Sequence, residues 1–403
     1  MLTLFVERED FFSLTININN LNKKTMKKLL LFAAVAVAFG ASAQTLTQTW
    51  KTDANKSLPV TEVRQGVGMN GKFYINNKAD QKVYVVDQNG LSDVTLPGGA
   101  NCGIGRDQAG NLIVSNAKFP NAWKADTAVI KVYKPATPNE INELSITTEI
   151  AGMGRCDFMG TSKGDLSADG EILLAGGAST GFGRLVVAGG ATSNDDSFVA
   201  TIDDKTSPKS TSAVARFFMD GDTEKYLFVN RSMGSLAIIN ASDDNLVTEK
   251  NLTLQNRNTC NGGDIVVLGG KKYVIYTTGT TTADYTDGFA VADINAEPVV
   301  AADNKSSYIP FVAEHKAELS AAANGYQANW LNVEKVSENE AIIYQYVPGG
   351  YCAVYSFKIP AEQTGINDVN AANDVKVRKV YENGQVYIIK GDVKYNVMGA
   401  QVK

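Results

Sequence analysis

Histidine is almost absent: His315 is the only one in 403 residues. Histidine-rich zinc sites and paired histidine ligands are thereby excluded, and acid–base work would fall to carboxylates or tyrosines. Cysteine is nearly as scarce. Cys102, Cys156, Cys260 and Cys352 contain no CxxC spacing, so metal-thiolate and thioredoxin-type readings both fail. Basic charge is not in excess either, with 38 Lys and Arg against 43 Asp and Glu. Residues 1–43 hold five of the basic and three of the acidic residues, which leaves 33 against 40 in the remainder. A mildly acidic body without a basic stripe argues against nucleic acid or anionic lipid as the main partner. One long apolar run stands near the start, and no transmembrane segment is expected after it.

That run, Met26–Ala43, has a Lys-Lys start, an apolar middle and an Ala41-Ser42-Ala43 ending. Such a sequence is a secretory signal peptide with cleavage expected between Ala43 and Gln44. It is short for a membrane span and no stop-transfer flank follows. Residues 1–25 precede a signal that is already complete, so they read as an upstream start, with Met26 the expected first residue. The fold is therefore sought from residue 44 onward, in an exported protein of the periplasm, cell surface or medium.

What the chain does have is a recurring hairpin, clearest at Asn101–Asn116, NCGIGRDQAGNLIVSN. The turn Asp107-Gln-Ala-Gly110 reverses the chain, and Leu112-Ile-Val114 form a strand on its far side. Variants recur with turns near 70, 109, 169, 221, 269 and 338, a spacing of about fifty residues that matches one four-stranded blade plus a variable loop. Six such units over 44–360 predict an all-β, six-bladed β-propeller. The sixth unit shows only three strands before Pro360. The unassigned Thr45–Trp50 is expected to supply its fourth, closing the ring and removing exposed edges. Leu46 and Trp50, at even spacing, are expected on one face of that strand. Residues 361–374 read as a linker, and 375–403 as a short C-terminal β segment of three strands, Val375–Tyr381, Gln385–Lys390 and Lys394–Met398.

That last segment, VRKVYENGQVYIIKGDVKYNVMGAQVK, resembles the C-terminal sorting tails of secreted Bacteroidetes proteins, over fewer than thirty residues. Residues 44–360 resemble secreted six-bladed propellers of that phylum whose function is unknown. More distantly they are similar to NHL-repeat and gluconolactonase-like propellers. This second resemblance rests on the blade rhythm and on Asp-x-x-Gly and Asp-Gly turns. Ser167-Ala-Asp169-Gly170 resembles part of a sialidase Asp-box, without its aromatic end and in one copy.

In a propeller the innermost strands begin at one face, so their first residues converge on the axis. Here these are Arg64, Gln65, Asn101, Arg155, Asp157, Arg216, Asn261, Asp264, Gln327 and Asn329. They form a candidate central pocket. The arginines could clamp a carboxylate or sulfate through forked hydrogen bonds; alternatively they plug the channel by pairing with Asp157 or Asp264. Asn261, Asp264 and Asn329 offer oxygen ligands for Ca2+, as the gluconolactonase resemblance implies, and Glu62 lies near the position of that family's glutamate. Cys102, Cys156 and Cys260 sit at equivalent blade positions, where small half-apolar side chains pack; Cys102 and Cys156 could form a disulfide in an oxidising compartment. His315 falls in a polar insertion and reads as a surface residue. Trp123 and Tyr285, in irregular loops, are candidates for sugar stacking.

No full catalytic motif is present. The leading reading is a non-catalytic binding propeller that presents a central polar pocket to a glycan or protein partner. A calcium-dependent hydrolase or lactonase with its site at the axis is the alternative, and a structural cell-envelope protein is the third.

Overall fold

The computed structural model describes residues 2–3, 15–16, 44–52, 63, 65–101, 103–116, 128–146, 158–175, 182–199, 213–230, 236–240, 248–257, 262–279, 286–302, 306–318, 330–360, 377–382, 385–390, 393–396 and 401–402. The chain divides into Met1–Ala43 and Gln44–Lys403. In the first unit Leu2–Thr3 pairs antiparallel with Thr15–Ile16, while the signal-like run lies outside the described residues. Among the described residues no helix is long and apolar enough to cross a membrane.

The second unit holds a six-bladed β-propeller. Blade one is Gly66–Met69, Lys72–Asn77, Lys82–Asp87 and Gly90–Pro97. Blade two is Ile104–Asp107, Leu112–Ser115, Ala128–Tyr133 and Asn142–Ile146, and blade three runs from Phe158–Met159 and Thr161–Gly164 through Gly170–Ala175 and Phe182–Ala188 to Ala191–Val199. Thr161 and Ser162 pair in parallel with Arg106 and Asp107, which fuses blades two and three into one sheet. Ala213–Asp220, Thr223–Asn230, Leu236–Asn240 and Thr248–Leu252 make blade four. Blade five is Gly263–Leu268, Lys271–Thr277, Phe289–Asp293 and Ala313–His315. The last places His315 on a blade's outer strand, opposite Phe289, not in a surface loop. The sequence hid this strand because an insertion with its own small hairpin, Val299–Val300 with Ser307–Tyr308, separates it from its neighbour.

Blade six is Trp330–Lys335, Glu340–Val347 and Tyr351–Lys358, completed by Thr45–Thr52 from the start of the unit. The ring therefore closes by pairing first strand with last. One detail differs from expectation. A bulge between Val354 and Tyr355 leaves Thr49 without a Cα partner, so Leu46 opposes Phe357 while Trp50 opposes Val354. An extra residue reverses the alternation of side chains, so Leu46 and Trp50 face opposite sides. Leu46 packs into the seam between blades five and six. Trp50 packs into the seam between blades six and one, edge-on to Phe73 at 5.7 Å.

Strands here are buried on both faces because each blade is sandwiched between two others. Ile172 and Leu174 join the core between blades two and three, and Leu173 between them joins the core between blades three and four. The six seams of the ring each hold one hydrophobic cluster. Near the axis the backbones approach closely. A Cβ on Gly160 would lie 1.9 Å from the carbonyl oxygen of Ala215, and one on Gly68 would lie 2.0 Å from the ring of Tyr344. Only glycine fits at either place.

The C-terminal segment is a separate four-stranded antiparallel sheet of Val377–Glu382, Gln385–Lys390, Val393–Asn396 and Gln401–Val402. It has one strand more than the three expected, a two-residue pairing of Gln401 and Val402 with Tyr395 and Lys394.

Removal of residues 44–52 strips a strand from blade six and apolar side chains from two seams. Burial of one large apolar side chain contributes about 1.5–3 kcal/mol, against a typical domain stability of about 5–15 kcal/mol. The truncated chain should melt well below the intact one by calorimetry and should self-associate through the bared edge of Tyr351–Lys358; an unchanged melting curve would contradict closure by this strand.

Candidate functional site

Innermost strands meet at a propeller's axis, so their amides and carbonyls turn toward one another in an apolar centre, where each needs a partner. Five side chains meet that need. Gln65 of blade one donates to the carbonyl of Met159 in blade three, and its Oε1 accepts from Met159 N at 3.1 Å and from Ile104 N of blade two at 3.2 Å. Arg106 of blade two donates to Val333 O of blade six at 2.6 Å and to Gly68 O of blade one at 3.4 Å. Arg216 of blade four donates to Gly263 O at 2.5 Å and Leu331 O at 2.9 Å, in blades five and six. Asp264 of blade five accepts from Val333 N at 2.8 Å. Asn332 of blade six closes the circuit by accepting from Gly68 N at 3.3 Å.

Of the ten residues expected to line the central pocket, Gln65, Asn101, Arg216 and Asp264 are among the described residues; Arg64, Arg155, Asp157, Asn261, Gln327 and Asn329 lie outside them. Glu62, Cys102, Cys156, Cys260, Trp123 and Tyr285 also lie outside. Arg216 and Asp264 come together as the channel plug that the sequence offered as one of two alternatives. They are 1% and 3% exposed, with Nη1 and Oδ2 3.4 Å apart. Burial pulls the guanidinium below its ordinary pKa, and Asp264 opposes the shift. Both Asp264 oxygens are engaged, Oδ1 by Ile265 N and Oδ2 by Val333 N. A calcium ion on Asp264 would stand beside a buried cation. Asn101 is buried at the seam of blades one and two, where its carbonyl accepts from Asn76 Nδ2. On the axis Phe158 of blade three and Trp330 of blade six meet with ring centres 5.1 Å apart. Cys352 is a free, buried thiol whose pKa burial pushes up.

An open cleft of about 460 Å³ stands where innermost strands end rather than where they begin. Met69, Asn70, Arg106, Asp107, Gln108, Ala109, Gly110, Thr161, Glu334 and Lys335 line it. Its rim is shaped by the two-residue turn Asn70-Gly71, both in the left-handed region with φ of 53° and 74°, as an Asn-Gly hairpin requires. Glu334 accepts from Asn70 N at 3.1 Å and from Tyr344 Oη at 2.7 Å. Asp107 accepts from Asn111 N, Asn111 Nδ2 and Leu166 N at 2.7–2.9 Å, and burial raises its carboxyl above the usual range. This cleft does not announce itself in the sequence. Its one legible signal was an arginine, Arg106, immediately before the turn aspartate.

A second polar cluster occupies the seam of blades five and six. Tyr351 donates its hydroxyl to Asp287 Oδ2 at 2.6 Å and lies 3.5 Å from His315 Nε2. Tyr355 donates to Gln345 at 3.0 Å. Lys51 of the closing strand pairs with Glu318 and sits 3.8 Å above the Tyr351 ring. Half-buried His315 packs between Phe289 and Tyr355, with ring centres at 5.4 and 5.2 Å. Burial, aided by Lys51, depresses its pKa against the pull of Asp287 and Glu318.

No family model matches the chain, and no curated protein matches it. Its structure is similar to that of a DUF4623 family protein from Bacteroides eggerthii, with a TM-score of 0.56 and 13% identity over 80% of this chain and 76% of that one. It is less similar to a subtype N10 neuraminidase-like protein of the strain A/little yellow-shouldered bat/Guatemala, at TM-score 0.45 and 9% identity over 80% and 99%. For streptogramin B lyase the TM-score is 0.40 and the identity 11% over 79% and 99%. At such identities the likeness concerns the fold alone.

Asp264→Ala would strand Arg216 as a buried charge without its counter-ion. That change should cost about 3–5 kcal/mol of stability, read as a lowered denaturant midpoint. A midpoint within error of wild type would dismiss the pair as a structural tie.

His315 supplies a second expectation. Its folded pKa lies below the ordinary 6.5, so the unfolded chain takes up a proton first. Stability is therefore complete above about pH 6.5 and declines as pH falls below it, until the folded pKa is passed. Wild type should melt lower at pH 5.5 than at about pH 7.5, and His315→Gln should lose most of that difference. With a single histidine in the chain, no other imidazole can account for it.

Proposed function

We propose that this chain is an exported, non-catalytic binding propeller that presents the polar face at its axis to a glycan partner. The observation that carries this reading is the state of the axial charges. Arg216 and Asp264 neutralise one another, and Asp107 and Glu334 are held by donors of the fold itself. A general acid or base must reach a substrate proton, whereas both oxygens of Asp107 and Oε2 of Glu334 already accept from the fold. What is left at the axis is an open, polar cleft of a size suited to a small ligand. The signal-like Met26–Ala43 supports export.

A calcium-dependent hydrolase is the contrasting reading, built on Asp264, Asn261 and Asn329. Against it stands the guanidinium 3.4 Å from the Asp264 carboxylate, since a hard cation wants its oxygens free of competing positive charge.

The test uses protein recovered from the exported fraction, expected to begin at Gln44. On a glycan array it should retain a defined subset of sugars and release them unchanged, and calorimetry with calcium chloride should give no heat of specific binding. Calcium uptake accompanied by turnover of a retained sugar or a lactone would replace this reading with the hydrolase.

A further inference from the structure

Among the described residues, Arg106 is the cation of the cleft with which no carboxylate pairs. Its guanidinium is half-buried and donates only to the carbonyls of Gly68 and Val333. Among the described residues no carboxylate forms an ion pair with it. A guanidinium withdrawn from water is ordinarily met by an anion, and two carboxylates line the same cleft, yet both are turned to other donors. Glu334 is held by Asn70 N and Tyr344 Oη, and the Tyr344 hydroxyl is itself fixed by accepting from Gly71 N at 2.8 Å. Asp107 is held by Asn111 and Leu166. The other cation of the cleft, Lys335, pairs with Glu338. Arg106 has five N–H donors in all, and two are spent.

We propose that this cleft binds a sugar acid, with the carboxylate of a uronate residue seated on Arg106. The inference rests on the reading of the chain as a glycan-binding propeller and names the class of sugar. Three features select the ligand. A single unpaired guanidinium matches one carboxylate in a forked pair. The fixed negative charges of Glu334 and Asp107 repel a dianion such as a phosphate monoester. The remaining lining, Asn70, Gln108 and Thr161 beside Ala109 and Gly110, offers amides and a hydroxyl to sugar hydroxyls without bulk that excludes a ring. The volume of about 460 Å³ suits one or two sugar rings.

The experiment compares methyl β-D-glucuronide with methyl β-D-glucoside, which differ only in the carboxylate, by calorimetry on the full-length chain. The glucuronide should bind roughly ten- to a hundredfold more tightly, the usual advantage of a charged hydrogen-bond partner. Arg106→Gln should erase that preference. Because Arg106 also ties two backbones, a second variant guards against a fold defect. Glu334→Gln keeps an acceptor for Asn70 and Tyr344, removes a negative charge from the cleft, and should strengthen glucuronide binding several-fold. Equal affinity for the two sugars, no binding of either, or weaker binding by Glu334→Gln would each overturn the assignment. Retention of neutral glycans on the array would then leave the binding-propeller reading standing, and an array without any retained glycan would remove both.

Discussion

Everything in this molecule depends on six backbones meeting at one axis without leaving polar groups stranded. A sheet satisfies its own ladder, but the innermost strand of a blade has no neighbour on its inner side. In a closed ring that inner side faces other strands rather than water, so the unpaired amides and carbonyls need side chains to reach them. Gln65, Arg106, Arg216, Asp264 and Asn332 do so, each tying its own blade to one or two others. The ties run both to adjacent blades and across the ring, so the centre acts as a single hub. The buried pair of Arg216 and Asp264 belongs to this hub. A buried ion pair contributes little when set against an apolar replacement, yet here each partner also satisfies backbone groups that no apolar residue could.

The seams outside the hub are held by ordinary burial, and this division explains what was legible in the sequence. The β-branched runs and the Asp-x-x-Gly turns at about fifty-residue spacing are local signals, and they sufficed for blade number and for closure by Thr45–Thr52. Counting strands revealed that blade six was one short. Features that depend on pairing at a distance were not legible. The bulge at Thr49 inverts the facing of Leu46 and Trp50, and nothing in TLTQTWKT announces it. The outer strand of blade five is only Ala313–His315 and follows a polar insertion, so His315 read as surface. The two-residue pairing that adds a fourth strand to the C-terminal sheet is equally silent.

The candidate site was missed for a related reason. Convergence of strand beginnings is a topological argument, and it led to Arg64, Asn101, Arg155 and their counterparts at one face. Strand ends converge equally well at the other face, and there the residues sit beside the very turns used to find the blades. Asp107 reads as the first residue of a turn, and Arg106 is simply the residue before it. Their partners, Gly68, Val333, Asn111 and Leu166, come from four places in the chain. The pairing of Arg216 with Asp264 was foreseeable as a type, since a buried arginine needs an anion. Which aspartate would answer it required the fold.

The same hub that closes the ring accounts for the one charge left over. Six inner strands crowd the axis so tightly that glycine is obligatory at Gly68 and Gly160, and Arg216 forms its buried ion pair with Asp264 there. Arg106 lies near enough to weaken Arg216's hold on its proton, and among the described residues Asp264 forms an ion pair with Arg216 and none with Arg106. Glu334 would be the natural counter-ion, but its oxygen fixes the Asn70-Gly71 turn and the Tyr344 hydroxyl instead. Turning Glu334 toward Arg106 would leave those donors unsatisfied. Positive charge at the floor of the cleft is thus a consequence of how the blades are joined, and an anion from outside can neutralise it without disturbing any of those joints.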